Sequence, residues 1–539
     1  MRVLPAGDTA LLVELQDLTQ ALALYRSLQA RTPAGVAELV PAARTVLVRY
    51  EPAATSQAQL EGELLRRGSE LDHESADQPE GRVVSIPVHY DGADLPQLAE
   101  LLGLSVQEVI RRHTSRPWQA AFAGFSPGFV YLAGDHFGRD IPRHRVPRTQ
   151  VPAGSVALAG RLSAIYPSNS PGGWQLLGTT DIAMWDLDRE EPAYLQPGLQ
   201  VQFVDAGARK HVNLPAARRR QQPQPPAPQP ASGSAVIEFV QPGLQTLPQD
   251  RGRPGKTQLG VSASGALDRG ALERANQLVG NPPGTPVLEN TFGQMTLRCH
   301  GRATLAVAGA SVPLALHAAD GTHWPLRGDR AIALDDGDTL VLGSPQRGLR
   351  CTLAARGGWQ LAAVLDSCSR DTLAGLGPPP IAAGARLAVG RAVAPRLLRA
   401  VALAEPAAAT LPRMGETVTL DVALGPRSDW FTPEALALLQ SQPWRVTPQS
   451  DRVGMRLDGP KALARSRDDE LPSEGIVSGA VQVPASGQPL LFLADHPLTG
   501  GYPVIAVILR HHLDLAAQIP PGCDIRFNVV APFNGKSHA

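Results

Sequence analysis

Three arginines stand close together in the segment IPRHRVPRTQVPAGS (141–155). Arg143, Arg145 and Arg148 fall within six positions of one another, and neighbouring prolines restrict the backbone that carries them. In an extended segment Arg143 and Arg145 share a face, whereas Arg148 points to the other face unless a turn intervenes. Guanidinium groups on a stiff backbone suit bidentate binding of carboxylate or phosphate, although a surface salt-bridge cluster is the alternative.

Hydroxyl groups and a glycine turn follow these arginines in the sequence. Neutral hydroxyls and accessible backbone N–H groups are what a small polar substrate needs, which favours a binding site over a surface cluster. The residues concerned are Ser155, Tyr166, Ser170, Gly172 and Gly173.

The second half of the chain places acidic and basic side chains beside glycines and turns. Asp and Ser side chains often cap turns by accepting local backbone N–H groups, so each residue alone fits a structural role as well as a functional one. As a set they predict a second polar site. Its candidates are Asp250, Arg253, Asp451, Arg452, Arg456, Glu474, Gln482 and Tyr502.

A three-part signature occurs twice in the chain. The strands and turns that it predicts must position both sets of polar residues. Each copy pairs a Gly-Gly-aromatic turn and an apolar run with a later Pro-Gly turn and an alternating strand, which is typical of β-hairpins. The repeat predicts two related β domains. The first copy is VPAGSVALAG (151–160), SPGGWQLLG (170–178) and QPGLQVQF (196–203), and the second is VSGAVQVPASG (477–487), LTGGYPVIA (498–506) and PPGCDIRF (520–527).

The 539-residue chain is too long for one core and divides at changes of pattern. Strands and helices alternate at the start, strands and short helices dominate later, and the Pro- and Gln-rich linker predicts a solvated tether. Barrels are expected rather than doubly wound sheets. The predicted units are an α/β domain (1–82), a β-barrel (83–214), the linker (215–235), a first barrel lobe (236–400) and a second lobe (401–539).

Composition excludes several classes of function. Formal net charge is zero, which gives no indication of nucleic acid or an anionic membrane as partner, and no run of 18 apolar residues occurs. Four cysteines without CxxC spacing fit reduced thiols in a cytoplasmic protein.

Phosphate-loop, GxGxxG, HExxH and GxSxG motifs are missing. His511 and His512 are adjacent, and on a helix they would point too far apart to chelate one metal.

Several long sequence motifs occur in a fixed order along the chain, and they make a family resemblance specific. The segment from Phe125 to Gly178 resembles the allophanate hydrolase subunit 1 (Kip inhibitor) family, over about residues 1–203. QDRGRPG, SGALDR, GPRSDWF, SDRVGMRL, LPSEG and TGGYP resemble the allophanate hydrolase subunit 2 (Kip antagonist) family, over 236–533. His496, Val453 and Met455 depart from that family's usual residues.

The resemblance implies a mainly β protein with α+β parts, in which cyclophilin-like β-barrels follow a small α/β domain. It also implies a fused B and C component of the prokaryotic 5-oxoprolinase, which opens 5-oxoproline to glutamate with ATP, Mg²⁺ and a separate A-type subunit. A carboxyltransferase component acting on urea or a related amide is the alternative, although no biotin-accepting Met-Lys-Met sequence is present. A regulator of a histidine kinase is a third hypothesis. It is disfavoured because the inhibitor-like and antagonist-like parts would be tethered in one chain.

The oxoprolinase hypothesis assigns roles to the two polar sets. If ATP phosphorylates the lactam oxygen, the site needs cations for the phosphoryl group and donors for the substrate carboxylate, which Arg143, Arg145 and Arg148 supply. Mg²⁺ needs a carboxylate, for which Asp250, Asp451 and Glu474 are candidates. Asp451 and Arg452 would take part in catalysis, Arg456 would bind phosphate or substrate, and the other polar residues would bind substrate. The sequence leaves open the place of the nucleotide site. It also leaves open the oligomeric state, and a homo-oligomer is one of the alternatives.

Overall fold

The computed structural model describes residues 1–71, 81–144, 146–207, 234–328, 330–391, 393, 411–467 and 469–531. Arg145 and most of the predicted linker lie outside these residues. None of the helices described here has both the length and the apolar character that a membrane crossing requires.

A four-stranded antiparallel sheet with two helices forms the N-terminal part, as the alternating pattern predicted. Its strand order is β1-β2-β4-β3. Asp17 and Ser56 begin the helices, because their side chains accept the backbone N–H groups of Gln20 and Gln59. The elements are β1 (Arg2–Pro5), β2 (Ala10–Glu14), α1 (Leu18–Ala30), β3 (Val36–Pro41), β4 (Thr45–Tyr50) and α2 (Gln57–Glu70).

A seven-stranded sheet follows and curls into a nearly closed barrel. Its order is β12-β9-β10-β7-β6-β13-β5, and the isolated bridge between His89 and Thr179 joins its two edges. We call it the first barrel. Its elements are β5 (Val83–Val88), α3 (Leu95–Leu102), α4 (Val106–Thr114), β6 (Trp118–Ala123), β7 (Val130–Ala133), β8 (Arg148–Val151), β9 (Ser155–Ala159), β10 (Leu162–Ile165), β11 (Ser170–Gly172), β12 (Gln175–Thr179) and β13 (Gln200–Asp205).

The middle region holds two sheets that share one apolar core. Their orders are β20-β19-β22-β17-β14-β24 and β15-β16-β23-β18-β21, and within the described residues neither closes on itself, whereas we expected a barrel lobe here. The elements are β14 (Val236–Gln241), β15 (Gln245–Gln249), α5 (Arg269–Val279), β16 (Val287–Thr291), β17 (Met295–His300), β18 (Ala303–Ser311), β19 (Leu314–His317), β20 (His323–Leu326), β21 (Ile332–Leu334), β22 (Thr339–Leu342), β23 (Arg347–Ala355) and β24 (Ala385–Ala388).

A closed barrel completes the chain, and we call it the second barrel. Its strands run in the order β25-β32-β29-β30-β27-β26-β33. Thr432 caps α6, and Pro433 occupies its first turn. The elements are β25 (Thr417–Leu424), α6 (Pro433–Ser441), β26 (Trp444–Val446), β27 (Gly454–Asp458), β28 (Glu474–Gly475), β29 (Ala480–Gln482), β30 (Leu490–Phe492), β31 (Thr499–Gly500), β32 (Val504–Ile508), α7 (Leu513–Ala517) and β33 (Asp524–Ala531).

The two barrels repeat one topology, which confirms the duplication predicted from the sequence. In each, the first strand pairs parallel with the last, β5 with β13 and β25 with β33. In each, the strands after the Gly-Gly turn, β12 and β32, pair antiparallel with β9 and β29. A two-stranded ribbon accompanies both barrels, β8 with β11 and β28 with β31.

The N-terminal sheet packs its free face on the second barrel. Leu4, Leu12 and Leu47 share one buried cluster with Phe492 and Val507, while Leu22 on α1 belongs to a cluster of the first barrel. Burying these apolar faces holds the N-terminal part against both barrels.

Candidate active site between the two barrels

The ribbon of the second barrel reaches the first barrel directly. Thr499 Oγ1 accepts the backbone N–H of Phe125 at 3.1 Å and lies 3.2 Å from the Tyr131 hydroxyl. Arg143 donates from Nη2 to Ser473 Oγ at 3.5 Å. A Cβ on Gly501 would lie only 2.8 Å from Nη1 of Arg143, so glycine permits this approach. We call this junction the barrel seam. It comprises Arg143, His144, Arg148, Tyr166 and Ser170–Gly173 of the first barrel, and Ser473, Gln482, Gly501 and Tyr502 of the second.

Asp94 orients Arg148 in the barrel seam. Its Oδ1 accepts Nη2 of Arg148 at 2.5 Å, and its Oδ2 accepts the N–H of Leu176 at 2.7 Å. His144 Nε2 lies 3.1 Å from the same Oδ2. Burial raises the pKa of Asp94, but the hydrogen bonds from Arg148, Leu176 and His144 outweigh it, so the pKa falls below its usual range. The carboxylate therefore stays ionised and fixes one edge of the guanidinium.

Several buried polar atoms of the barrel seam lack a hydrogen-bond partner within the described ranges. Nη1 of Arg148 and Oγ of Ser170 are among them. The strands that carry them are paired, since Gly172 lies opposite Arg148 in the ribbon of β8 and β11. A buried donor without a partner is costly, so the pair indicates a place where a ligand's acceptor atoms complete the hydrogen bonding.

Tyr166 forms the floor beside these groups. A Cβ on Gly172 would lie 2.2 Å from the Tyr166 hydroxyl, so only glycine leaves room for the ring. Burial raises the pKa of Tyr166, while the positive charges of Arg143 and Arg148 oppose that rise. Both arginines therefore act on the same small volume, and the phenol is neutral and able to donate a hydrogen bond.

The second barrel contributes Gln482 and Tyr502 on its side of the barrel seam. Gln482 Nε2 donates to the backbone carbonyl of Tyr502 at 2.9 Å. The Tyr502 ring is 39% exposed and lies 5.7 Å from the guanidinium carbon of Arg465. Tyr502 follows Gly501, which Arg143 contacts, so these predicted residues adjoin the arginine cluster.

Ser155 lies behind the barrel seam. It is 3% exposed, and its carbonyl accepts the N–H of Tyr166 at 2.9 Å. Its place supports the tyrosine. Arg145 lies outside the described residues, so its predicted role stays a prediction.

Arg452 and Asp250 lie in a different, buried network between the second barrel and the middle region. Arg452 pairs with Glu289 and with Asp495, at 3.0 Å from Nε to Oδ2, and it is 2% exposed. Asp250 accepts three hydrogen bonds on Oδ1, from the Gly252 N–H and the hydroxyls of Ser367 and Ser369, and one on Oδ2 from the Cys368 N–H. Both residues hold protein segments together here.

Arg253 and Glu474 are buried beside protein partners as well. Arg253 donates to the carbonyls of Val364 and Ser369. Glu474 pairs with Arg427, which also lies 2.9 Å from Glu14 on the N-terminal sheet. Burial raises the pKa of Glu474 despite this arginine. The pair joins the N-terminal sheet to the second barrel.

Asp451 and Arg456 are exposed and lie apart from these networks. Asp451 Oδ1 accepts the N–H groups of Val453 and Gly454 at 2.8 and 3.0 Å, as a turn cap does. The structure thus brings Gln482 and Tyr502 together with the following residues of the first polar set: Arg143, Arg148, Tyr166, Ser170, Gly172 and Gly173. It does not bring Asp250, Arg253, Asp451, Arg452, Arg456 or Glu474 into the barrel seam.

His511 and His512 come closer together than their adjacency suggested. They occupy a single 3₁₀ turn, and donor atoms of both and of Asp421 lie within 4.8 Å of one another. We expected wider separation from helical spacing, which was wrong here because the turn is not an α-helix. Nδ1 of His512 already accepts the N–H of Asp421 at 2.8 Å, so the turn is also explained without a metal.

Comparison with known proteins identifies the family. The model for the carboxyltransferase domain, subdomain C and D, matches residues 1–195, and that for subdomain A and B matches 259–529. The C subunit of 5-oxoprolinase from Escherichia coli K12 is 35% identical over 295 residues, 54% of this chain and 90% of that protein. The B subunit of 5-oxoprolinase from Escherichia coli O157:H7 is 37% identical over 207 residues, 37% of this chain and 93% of that protein.

The chain belongs to the family of the B and C subunits of 5-oxoprolinase. It joins a B-like and a C-like part in one polypeptide. The solved structure of TTHA0988 is 34% identical, with a TM-score of 0.77 over 96% of this chain and 99% of that one. Urea amidolyase of Lachancea kluyveri is 30% identical over 325 residues, 54% of this chain but 17% of that protein. The family resemblance predicted from the sequence and the mainly β fold are thus confirmed.

Proposed function

We propose that this chain is the B and C component of an ATP-dependent 5-oxoprolinase. In this proposal it activates 5-oxoproline by phosphorylation, and a separate A-type subunit then opens the ring to give glutamate. The near full-length match to B and C subunits supports the assignment of the component. The observation that carries the site is the unsatisfied edge of Arg148, which is held by Asp94 and lies on the same two-stranded ribbon as Ser170.

The barrel seam suits the substrate's functional groups. The carboxylate of 5-oxoproline offers two acceptor oxygens, which Arg148 and Ser170 can bind together. Arg143, fixed beside Ser473 and Gly501, adds positive charge where a phosphoryl group would approach. The neutral Tyr166 hydroxyl and the glycines at 172 and 173 leave space and donors for the lactam ring.

The proposed chemistry balances as a phosphoryl transfer followed by hydrolysis. The lactam oxygen attacks the γ-phosphorus of ATP, a P–O bond forms, and the bond to ADP breaks. Water then adds to the activated ring carbon, and the adduct breaks its C–N bond to give an open-chain acyl phosphate with a free amine. A second water hydrolyses the acyl phosphate to glutamate and phosphate. Arg143 and Arg148 would stabilise the negative charge that develops on the transferred group.

The predicted Mg²⁺ ligands do not fit that ion. Asp250 accepts N–H and O–H donors on both oxygens, Glu474 is paired with Arg427, and Asp451 caps an exposed turn. Mg²⁺ prefers free carboxylate oxygens and water. We therefore assign none of these three carboxylates as a ligand of Mg²⁺.

Replacing Arg148 by Ala in an assay reconstituted with an A-type subunit tests the site. Loss of a charge-assisted contact should lower kcat/KM roughly 30- to 1,000-fold, because about 2 to 4 kcal/mol of transition-state stabilisation disappears. Arg148→Lys should restore activity only partly, since ammonium lacks the planar fork. Arg111→Ala, on the exposed face of α4, is the matched control. Full activity of Arg148→Ala would remove the barrel seam as the site.

A carboxyltransferase is the second candidate, and the names of the matching family models favour it. It would transfer a carboxyl group to urea or a related amide from carboxybiotin on another polypeptide. Carboxylation of urea by this chain with a biotin carboxylase, and no response to 5-oxoproline, would establish it in place of the first proposal.

A further inference from the structure

A cavity of about 570 Å³ lies away from the barrel seam, between the N-terminal sheet, the start of α5 and the second barrel. Its wall includes Arg49, Arg251, Arg269, Arg510 and His496. The size falls in the range of small-molecule sites, and apolar residues such as Leu267, Ile476 and Leu498 form another part of the wall.

Most of the positive charge in this cavity is balanced by protein carboxylates. Arg49 Nη1 lies 2.6 Å from Oε2 of Glu38, and Arg251 Nη2 lies 3.0 Å from Oε1 of Glu273. Arg510 Nη1 lies 3.5 Å from Oε2 of Glu51.

Arg269 is different. Its guanidinium makes no hydrogen bond or ion pair with any other residue that the structure describes. Asp514, the nearest candidate, is engaged elsewhere, because its oxygens accept the backbone N–H groups of Arg269 and Gly270 at 2.9 and 3.0 Å.

Two arginines bring like charge close to Arg269. Burial among protein atoms lowers its pKa, the positive charges of Arg49 and Arg510 lower it further, and Asp514 and Glu51 oppose them, although its side chain remains open to the cavity's solvent. Burial also lowers the pKa of His496, and Arg49 adds to that effect. Like charges held together in this way repel, and an anion among them removes the repulsion.

We propose that this cavity is a second binding site, which takes a small oxyanion, a carboxylate or a phosphate group, on Arg269. Arg49 and Arg510 surround the anion, and the apolar wall accommodates the rest of the molecule. The site shares no residue with the barrel seam, so the inference stands independently of the proposed reaction.

Binding of two probes to the full chain tests the inference. Sodium phosphate and sodium L-glutamate are titrated separately by calorimetry and by thermal unfolding, with sodium chloride at matched ionic strength as the reference. At least one probe should bind and raise the unfolding temperature. Phosphate alone would identify a phosphate ligand, and glutamate alone a carboxylate ligand.

Variants locate the binding. Arg269→Gln should weaken the apparent affinity about tenfold or more, because a charge-assisted hydrogen bond is lost, and Arg269→Lys should retain part of it. Arg111→Gln on the distant α4 should bind as the unmodified chain does. Equal binding by Arg269→Gln, or no binding of either probe, would overturn the proposal.

Discussion

Individual arginines in this chain differ by the partners that surround them. Arg452 is enclosed by Glu289 and Asp495, whereas Arg148 has one edge fixed by Asp94 and the other without a partner among the described residues. Sequence spacing cannot distinguish these environments, because both arginines lie in turn-like segments. Arg148 follows a proline and Arg452 follows an aspartate. The distinction depends on carboxylates far away along the chain.

Asp94 should act as a positioning residue. Asp94→Asn keeps the size of the side chain but removes the charge that holds Arg148, so we expect KM for 5-oxoproline to rise about tenfold or more in the reconstituted assay. Asp94→Asn in the Arg148→Ala background should add little, because Asp94 acts through Arg148. Additive losses in a double-mutant cycle would contradict this coupling.

Arg452 should matter for stability. Arg452→Met leaves the buried carboxylate of Asp495 without its cation and leaves Glu289 only Arg350, at 3.8 Å, which should cost about 3 to 5 kcal/mol in the free energy of unfolding. Arg456→Met on the exposed side of β27 is the matched control and should cost less than about 0.5 kcal/mol. Denaturant titration measures both. Unchanged stability together with lost activity in Arg452→Met would instead support the catalytic role predicted from the sequence.

At the scale of elements, the two barrels keep one topology and differ at their ribbons. Gly172 pairs with Arg148 in the first barrel, and Gly500 pairs with Glu474 in the second. The first ribbon thus presents a cation to the barrel seam, while the second directs its carboxylate to Arg427. Equivalent positions of the duplicated strands therefore carry side chains of opposite charge.

The sequence predicted many elements because their signals are local. The predicted alternation of strands and helices at the start of the chain is present, since periodicity and capping define elements such as the helix Leu18–Ala30 and the strand Thr45–Tyr50. Asp94 was missed because its function depends on a residue 54 positions away. It stands at the N-cap position of α3 yet makes no capping hydrogen bond, and its sequence signal is that of an ordinary helix start. Nor does spacing show that the N-terminal sheet packs on the second barrel.

The acid sensitivity of the first barrel tests the packing of α4. His113 is fully buried between the Tyr90 hydroxyl and Ser163, and burial lowers its pKa to about 3. It is neutral in the fold, whereas the unfolded chain binds a proton near pH 6.5. Stability should therefore fall as pH decreases from about 6.5 towards 3, by on the order of 1.4 kcal/mol per pH unit.

His113→Gln should remove that part of the pH dependence, as measured by urea unfolding at several pH values. His323→Gln, on the exposed edge strand β20, serves as the control and should keep it. An unchanged slope in His113→Gln would mean that other groups cause the acid sensitivity.

At the scale of the whole molecule, polar contacts and apolar packing join the parts around the barrel seam. Thr499 bonds to the first barrel, and Arg427 bridges Glu14 of the N-terminal sheet and Glu474 of the second barrel. Both halves therefore contribute residues to the barrel seam, which supports the proposal that the B-like and C-like parts work as a single component. The proposed reaction still requires an A-type subunit.

Glutamate and ADP formation from 5-oxoproline and ATP, with and without an A-type subunit, tests the proposed function most directly. The chain alone should form little or no glutamate, and addition of the A-type subunit should produce glutamate and ADP together. Robust ring opening by this chain alone, or no dependence of ADP formation on 5-oxoproline when both proteins are present, would contradict the proposal.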